Sequence, residues 1–303
     1  MTETAYDYQS AKELLELCDK HQLSIAEVML RRESHQQSIS TETLLAKMAE
    51  YYRGMKASVG KGVGIDQLSP SRLSGGDAKR LLEYSQSAKP LFGERFAKTM
   101  AYGFAVLETN AQFGRIIATP TAGSAGIVPA CLLTLEETEN LSDEQLAMAL
   151  FTAAGIGVII GKKAYFSGAK GGCQAEVGSA SSMAAAAIVE ATGGTPTQAC
   201  NAAAFALMNT LGLVCDPIGG YVEVPCVSRN GMFAVHSFEA AVIALANCRC
   251  VVPFDDVVIA MRDIGRRMPR ALKETSEAGL AKTPAGLQFH SGKIVPETRP
   301  PQK

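Results

Sequence analysis

Three cysteines sit where glycine and proline interrupt the chain. Cys173 lies in the run Ser167-Gly-Ala-Lys-Gly-Gly-Cys-Gln-Ala-Glu-Val-Gly178, between Lys170 and Glu176. Cys215 and Cys226 bracket Cys215-Asp-Pro-Ile-Gly-Gly-Tyr-Val-Glu-Val-Pro-Cys226, which continues into Val-Ser-Arg-Asn230. Glycines around a thiolate let a bulky cofactor approach and free backbone amides to hydrogen-bond its sulfurs. Spacing leaves zinc, an iron–sulfur cluster and a cysteine nucleophile all open as readings of the three. Cys18, Cys131, Cys200, Cys248 and Cys250 fall in apolar helical patterns and read as small buried hydrophobes. A second feature is Ala118-Thr-Pro-Thr-Ala-Gly-Ser-Ala-Gly126, a small-residue loop opening into an apolar run from Ile127 to Leu135. Unpaired N–H groups at the positive end of a helix suit a carboxylate or phosphate. A tight helix-packing turn is the plain alternative. No Gly-Lys-Ser/Thr follows the glycines, so this is not a P-loop, and Gly157 to Lys163 lacks that motif's spacing and hydroxyl.

The elements around these loops belong to a chain of 303 residues with 19% charged residues and a formal net charge of −1. It carries no basic field to draw in nucleic acid or an anionic membrane surface. The first ten residues lack the basic and apolar regions of a secretory signal, and the most apolar stretch, Leu146 to Gly161, is rich in Ala and Gly and ends at Lys162 and Lys163. It reads as a helix buried in protein, not one facing lipid. A cytoplasmic location is expected, where thiols stay reduced. No Cys-x-x-Cys pair occurs, so any metal site draws its ligands from distant segments.

Ser10-Ala-Lys-Glu13 and Ser24-Ile-Ala-Glu27 each read as a capping box that opens a short amphipathic helix. A third helical pattern runs from Thr41 to Lys56, before a glycine-containing connector from Gly60 to Gly76. Beyond Asp77 apolar residues recur at helical spacing among Ala, Gly, Ser and Met, with few alternating β-branched stretches. The fold class predicted is all-α, a helical bundle whose glycine-rich loops form the site. Ser179 to Ala191, Ala199 to Leu213 and Met232 to Asn247 are expected to be close-packed neighbours, because small side chains let helix axes approach. The division predicted is an N-terminal helical region over 1–60, a main domain over 61–280, and an extended or disordered proline-containing tail over 281–303.

At these residues the chain resembles the iron–sulfur-dependent L-serine dehydratases, specifically the α chain of the two-subunit form. The resemblance rests on Ser74-Gly-Gly-Asp77, Glu108-Thr-Asn110, Pro120-Thr-Ala-Gly-Ser-Ala-Gly126, Gly168-Ala-Lys-Gly-Gly-Cys-Gln-Ala-Glu176, and Cys215-Asp-Pro through Cys226-Val-Ser-Arg-Asn230. It extends over residues 10–285, with the motifs in the family's order. It implies a [4Fe–4S] cluster on Cys173, Cys215 and Cys226, with one iron free of thiolate to act as Lewis acid on the substrate hydroxyl. L-Serine would lose its hydroxyl and Cα proton, and the enamine would tautomerise and hydrolyse to pyruvate and ammonia, a step of amino-acid degradation that feeds gluconeogenesis. The resemblance gives the substrate carboxylate to Thr121, Ala122, Gly123, Ser124, Ala125 and Gly126, with Asn230 as a further contact. Lys170 and Glu176 are the catalytic candidates, and Arg229 is a weaker one.

The base is missing from this pattern. His21 and His35 lie in the N-terminal helical region, His236 on an Ala-rich apolar stretch, and His290 in the tail, none within a motif. The resemblance implies that a Ser-Ser-Ser-His-Thr motif on a β chain supplies the histidine. An α/β assembly is therefore expected, with an ACT-like regulatory domain on the partner. Two alternatives share the cluster: β-elimination of hydrogen sulfide from L-cysteine, and a non-catalytic sensor or scaffold subunit. Pyridoxal-phosphate chemistry at Lys162, Lys163 or Lys170 lacks a phosphate-cradling glycine tract.

Overall fold

The computed structural model describes residues 6–290, and among them it is all-α: no strand forms, and an isolated parallel bridge pairs Cys215 with Lys273. In chain order the helices are α1 (Ala11–His21), α2 (Ile25–Gln37), α3 (Thr41–Gly62), α4 (Asp77–Ser85), α5 (Glu94–Ala111), α6 (Ile127–Glu139) and α7 (Asp143–Lys163). They continue with α8 (Gly168–Gly171), α9 (Ser179–Ala191), α10 (Pro196–Met208), α11 (Cys226–Leu245), α12 (Phe254–Arg267) and α13 (Pro284–His290).

Local chemistry starts several of them. Ser24 and Glu27 close a full capping box on α2, the Glu27 N–H donating to Ser24 Oγ at 3.1 Å and the Ser24 N–H to Glu27 Oε2 at 2.8 Å. Ser10 makes only half of one: its Oγ accepts from the Glu13 N–H, but the Glu13 carboxylate takes the Gln9 N–H instead. Other helix starts are held by carboxylates from far along the chain. Asp255 accepts from the N–H groups of Ala11 and Lys12, and Glu190 from those of Ile25 and Ala26. Glu108, fully buried on α5, accepts from the N–H groups of Gly76, Asp77 and Ala78 at the start of α4. Each places a negative charge at the positive end of a helix.

The Ala-rich α9 is buried along nearly its whole length and packs against α6, α7, α10 and α11. A helix that is small and apolar on all sides belongs at the centre of a bundle. As expected, α9, α10 and α11 are mutual neighbours. Helix α7 is long and apolar enough to cross a membrane, yet its most apolar window is 67% buried in protein, and Lys162 and Lys163 at its end pair with Asp7 and Asp255. One continuous core runs from Tyr8 and Leu14 through Tyr52 and Val59 to Val257, so the first 60 residues share it with the rest.

Several boundaries differ from the sequence reading; α10, for one, ends at Met208 and not Leu213. Helix α3 runs past Lys56 to Gly62, because Ser58, Val59 and Gly62 are buried and a Cβ on Gly62 would fall 1.9 Å from the Ala105 carbonyl of α5. Helix α11 begins at Cys226 instead of Met232. The chain turns at a cis Val224–Pro225 bond, and the carbonyls of Glu223 and Pro225 take the N–H groups of Val227 and Arg229. The tail does not begin at 281: Pro284 to His290 is helical, its Pro at a helix start and the Thr283 hydroxyl accepting from the Gly286 N–H. The rest of the predicted tail, 291–303, lies outside the described residues.

Candidate active site

Cys173 follows α8 at a turn where Gly172 adopts φ +78°, and the chain then makes a π-helical turn over Gln174–Gly178 that leads into α9. Gln174, wholly buried, fixes this turn. Its amide donates to the carbonyls of Gly171 and Met261 and accepts from the Gly212 N–H. The turn directs Glu176 back toward Cys173, and π turns of this kind often occur at functional sites. Cys215 is held from the other side by a strap of chain after α12: its N–H donates to Leu272 O at 2.9 Å, and its carbonyl accepts from Glu274 N at 2.7 Å.

The result is a compact trio. A thiol sulfur from Cys173, one from Cys215 and a carboxylate oxygen of Glu176 all lie within 4.8 Å of one another, and all three residues are buried. Gly168 makes room for them, since a Cβ there would sit 2.7 Å from Glu176 Oε2 and 3.1 Å from Cys215 Sγ. Cys226, at the first residue of α11, is buried nearby but stands outside this trio. The sequence reading put it in a loop; the helix start carries it instead.

Charge at the trio is uneven. The Cys173 thiol is drawn below its ordinary pKa by a hydrogen bond from Cys215, against the cost of burial, with the Arg229 guanidinium adding to the effect. Arg229 Nη1 donates to Cys173 Sγ at 3.1 Å and to Val214 O at 3.0 Å, and its other amino group faces Asp216 at 3.4 Å. Cys215 is pushed up by donating to Cys173 and by burial. Burial and the neighbouring charges of Cys173 and Glu176 likewise push Cys226 up. Cys173 is thus the most acidic of the three thiols. Binding a cation would release their protons.

The small-residue loop borders the trio. Its Thr119–Pro120 bond is cis, and Ala122–Ser124 forms one 3-10 turn. The Thr121 hydroxyl donates to Glu176 Oε1 at 2.9 Å, so the loop already faces a carboxylate. Burial raises the Glu176 pKa to about 7, partly offset by that hydroxyl. Asn230, wholly buried on α11, ties the loop down: its amide donates to Gly123 O and Cys226 O, and its carbonyl accepts from Gly126 N, each at 2.8 Å. Ala125 N–H donates to Ala122 O within the loop. The N–H groups of Ala122 and Gly123, at the start of the 3-10 turn, have no acceptor within it.

Of the other predicted residues, Lys170 is exposed on α8. His236 is engaged elsewhere, with Nε2 2.9 Å from Ala206 O and its ring edge-on to Phe233. His21 and His35 flank Tyr6. Sequence reasoning missed Glu223, which is buried three residues before Cys226 and receives the hydroxyls of Ser69, Ser71 and Ser74. It thereby fastens the connector before α4 to the Cys226 turn. The cluster of serines around Pro70 was the available signal.

Comparison with known proteins agrees with this geometry. The family model described as serine dehydratase alpha chain matches residues 20–281. The chain is 46% identical over 283 residues to the probable L-serine dehydratase, alpha chain, of Bacillus subtilis (strain 168), covering 93% of this chain and 94% of that one. It is 42% identical over 280 residues to the L-serine dehydratase, alpha chain, of Peptoniphilus asaccharolyticus, covering 92% and 96%. Against the L-serine dehydratase of Helicobacter pylori (strain ATCC 700392 / 26695) it is 38% identical over 92% of its own length but only 62% of that longer chain. With its cysteine loops and small-residue loop inside the matched span, the chain belongs to the serine dehydratase alpha-chain family.

Proposed function

We propose that this chain, with a second chain, dehydrates L-serine to pyruvate and ammonia, holding a [4Fe–4S] cluster on Cys173, Cys215 and Cys226 and seating the substrate carboxylate in the Thr121–Gly126 loop. The observation that carries the reading is the junction of the two features: Thr121 of the loop hydrogen-bonds Glu176, which stands within 4.8 Å of both Cys173 and Cys215. The donor set fits the cluster. The buried thiols of Cys173 and Cys215 converge with Glu176, with the buried Cys226 nearby and Arg229 donating to Cys173 Sγ, in a cradle that a Cβ on Gly168 would fill. When bound on three thiolates, such a cluster supplies a Lewis-acidic iron that stabilises the departing hydroxide.

The chain's own residues supply the rest. The N–H groups of Ala122 and Gly123 and the Thr121 hydroxyl receive the substrate carboxylate, while Ser124, Ala125 and Gly126 shape the turn, the last two with their N–H groups engaged. Asn230 acts through the loop and holds it against the Cys226 turn. Glu176, with its pKa raised to about 7, lies between loop and thiols, where it can carry a proton to the departing hydroxide to make water. The Cα proton goes to a base on the second chain, and the enamine tautomerises and takes up water to release ammonia and pyruvate. Lys170, exposed, has no part in this assignment.

Relative lengths support a second chain. This chain spans nearly all of the relatives named alpha chain but only 62% of the longer L-serine dehydratase, so the remainder of that longer protein would sit on the partner. We assign to that partner the base and an ACT-like regulatory domain, and to the assembly a reducing cytoplasmic setting that keeps the thiols free.

The test is anaerobic purification of both chains together, with iron content, visible absorption and pyruvate formation from L-serine measured for the wild type and for Cys173→Ala. The wild type should be coloured and active, and the variant should lose the colour and at least about a hundredfold in turnover. A colourless, iron-free preparation with full activity would refute the cluster. Full turnover by the alpha chain alone would refute the two-chain reading.

A further inference from the structure

Away from the thiols, a cleft of about 840 Å³ opens between α3 and the segment that leads into the small-residue loop, lined by Lys47, Arg53, Lys61 and Arg115 among others. Glu50 is the single acidic residue in its lining. Arg53 pairs with Asp143 at 3.2 Å, but Lys47, Lys61 and Arg115 are exposed and have no ion-pair partner among the described residues. The cleft shares Tyr51 and Ile117 with an adjoining apolar pit of about 340 Å³, whose walls include Met48, Met55, Leu150 and Met183. That pit ends at Ala118 and Thr119, and the Thr119 carbonyl accepts the Ser124 hydroxyl of the substrate loop at 3.2 Å.

We infer that this basic cleft and its methionine-lined pit are where the second chain of the enzyme docks, through an acidic segment that seats an apolar side chain in the pit. The inference rests on the two-chain reading above. Three uncompensated cations around one groove favour an acidic partner and would steer its approach. The unbranched thioethers of Met48, Met55 and Met183 adapt to an inserted side chain without imposing one shape. An apolar anchor within a charged rim is how energetically important contacts are arranged in protein interfaces. Position supplies the functional reason. A segment lying in the pit would touch the residues that lead into the loop, on the molecule that is to deliver the missing base.

The experiment measures binding of the purified second chain to the full alpha chain, prepared anaerobically, at low and moderate salt. Lys61→Glu with Arg115→Glu should weaken binding about tenfold or more and flatten its salt dependence, because rim charges act on the encounter. Met48→Ala should weaken it at all salt concentrations, since the partly exposed Met48 is an apolar wall of the pit and carries no charge. Iron content and helical circular dichroism, unchanged in the double variant, exclude misfolding. Arg249→Glu, an exposed reversal between α11 and α12 that lines neither the cleft nor the pit, should bind as the wild type does. Unaltered affinity and salt slope in the double variant would overturn the docking surface while leaving the two-chain enzyme intact. No binding by the wild type at any salt would overturn both together.

Discussion

Asn230 shows how one side chain can serve a site without touching substrate. Its amide makes three hydrogen bonds of 2.8 Å, all buried, joining the carboxylate loop to the turn that bears Cys226. Asn230→Ala should lower stability by about 2–4 kcal/mol, because the Gly126 N–H and the Gly123 carbonyl lose their partner inside the protein. The shift of the urea midpoint measures this, and a change under about 0.5 kcal/mol would show that the loop is held by something else. At this scale the sequence was informative about chemistry and less so about role. Glycines near Cys173 and Cys215 mark them out from Cys18, Cys131 and Cys200 in helices, whereas Cys248 and Cys250, read as helical and buried, lie past the end of α11 with Cys248 exposed; Glu176 stands close enough in sequence to Cys173 to be noticed. That Asn230 grips the loop depends on a contact across more than a hundred residues, which no local pattern encodes. The same holds for Glu223, whose three serine partners lie on the other side of α4 and α5.

Helices obey local rules where caps and periodicity are local. Ser24 with Glu27, Ser142 with Gln145 and Thr195 with Gln198 all close capping boxes, and the Ala-rich bundle was legible from its small residues. The carboxylates of Glu108, Glu190 and Asp255 that cap α4, α2 and α1 were not, because each arrives from another helix. Glu108 makes this arrangement testable. Burial raises its pKa from 4.5 to about 7, so folding takes up a proton. Its favourable contribution is complete below about pH 4.5, declines as pH rises to about 7, and is flat above, with a slope of at most about 1.4 kcal/mol per pH unit. Between pH 5 and 8 the wild type should therefore lose on the order of 2 kcal/mol more than Glu108→Gln does, with parallel curves as the contrary result. Helix α3 offers a second test within two residues. Gly60 meets nothing within 4 Å, whereas a Cβ on Gly62 would collide with Ala105 O and its carbonyl carbon. Gly60→Ala should stabilise the protein by about 0.5–1 kcal/mol by restricting the unfolded chain. Gly62→Ala should destabilise it by about 3 kcal/mol or more as α3 and α5 are forced apart. Thermal midpoints moving the same way would contradict the packing of these two helices.

Over the whole molecule, the thiol site is closed by the last part of the described chain. The strap after α12 pairs with Cys215 on both of its backbone groups, Ser276 donates to Pro217 O, and Asp216 receives the Leu280 N–H. This was invisible in the sequence, where the segment fell at the end of the main domain with no motif of its own, since its order comes from the Cys215 turn and not from its own periodicity. Glu274 is the strap's weak point, because it sits at φ +62° while its N–H donates to Cys215 O. Proline cannot take that angle and has no N–H, so Glu274→Pro should peel the strap away; glycine accepts the angle and keeps the donor. Alkylation of Cys215 in the metal-free protein reads the opening directly, since the native thiol is 2% exposed. The proline variant should react at least about tenfold faster than wild type, equivalent to about 1.4 kcal/mol less protection, and the glycine variant within a factor of about two. Equal rates in all three would mean that the thiol is shielded by α8 and the Glu176 turn alone. The strap would then be packing without a share in guarding the site.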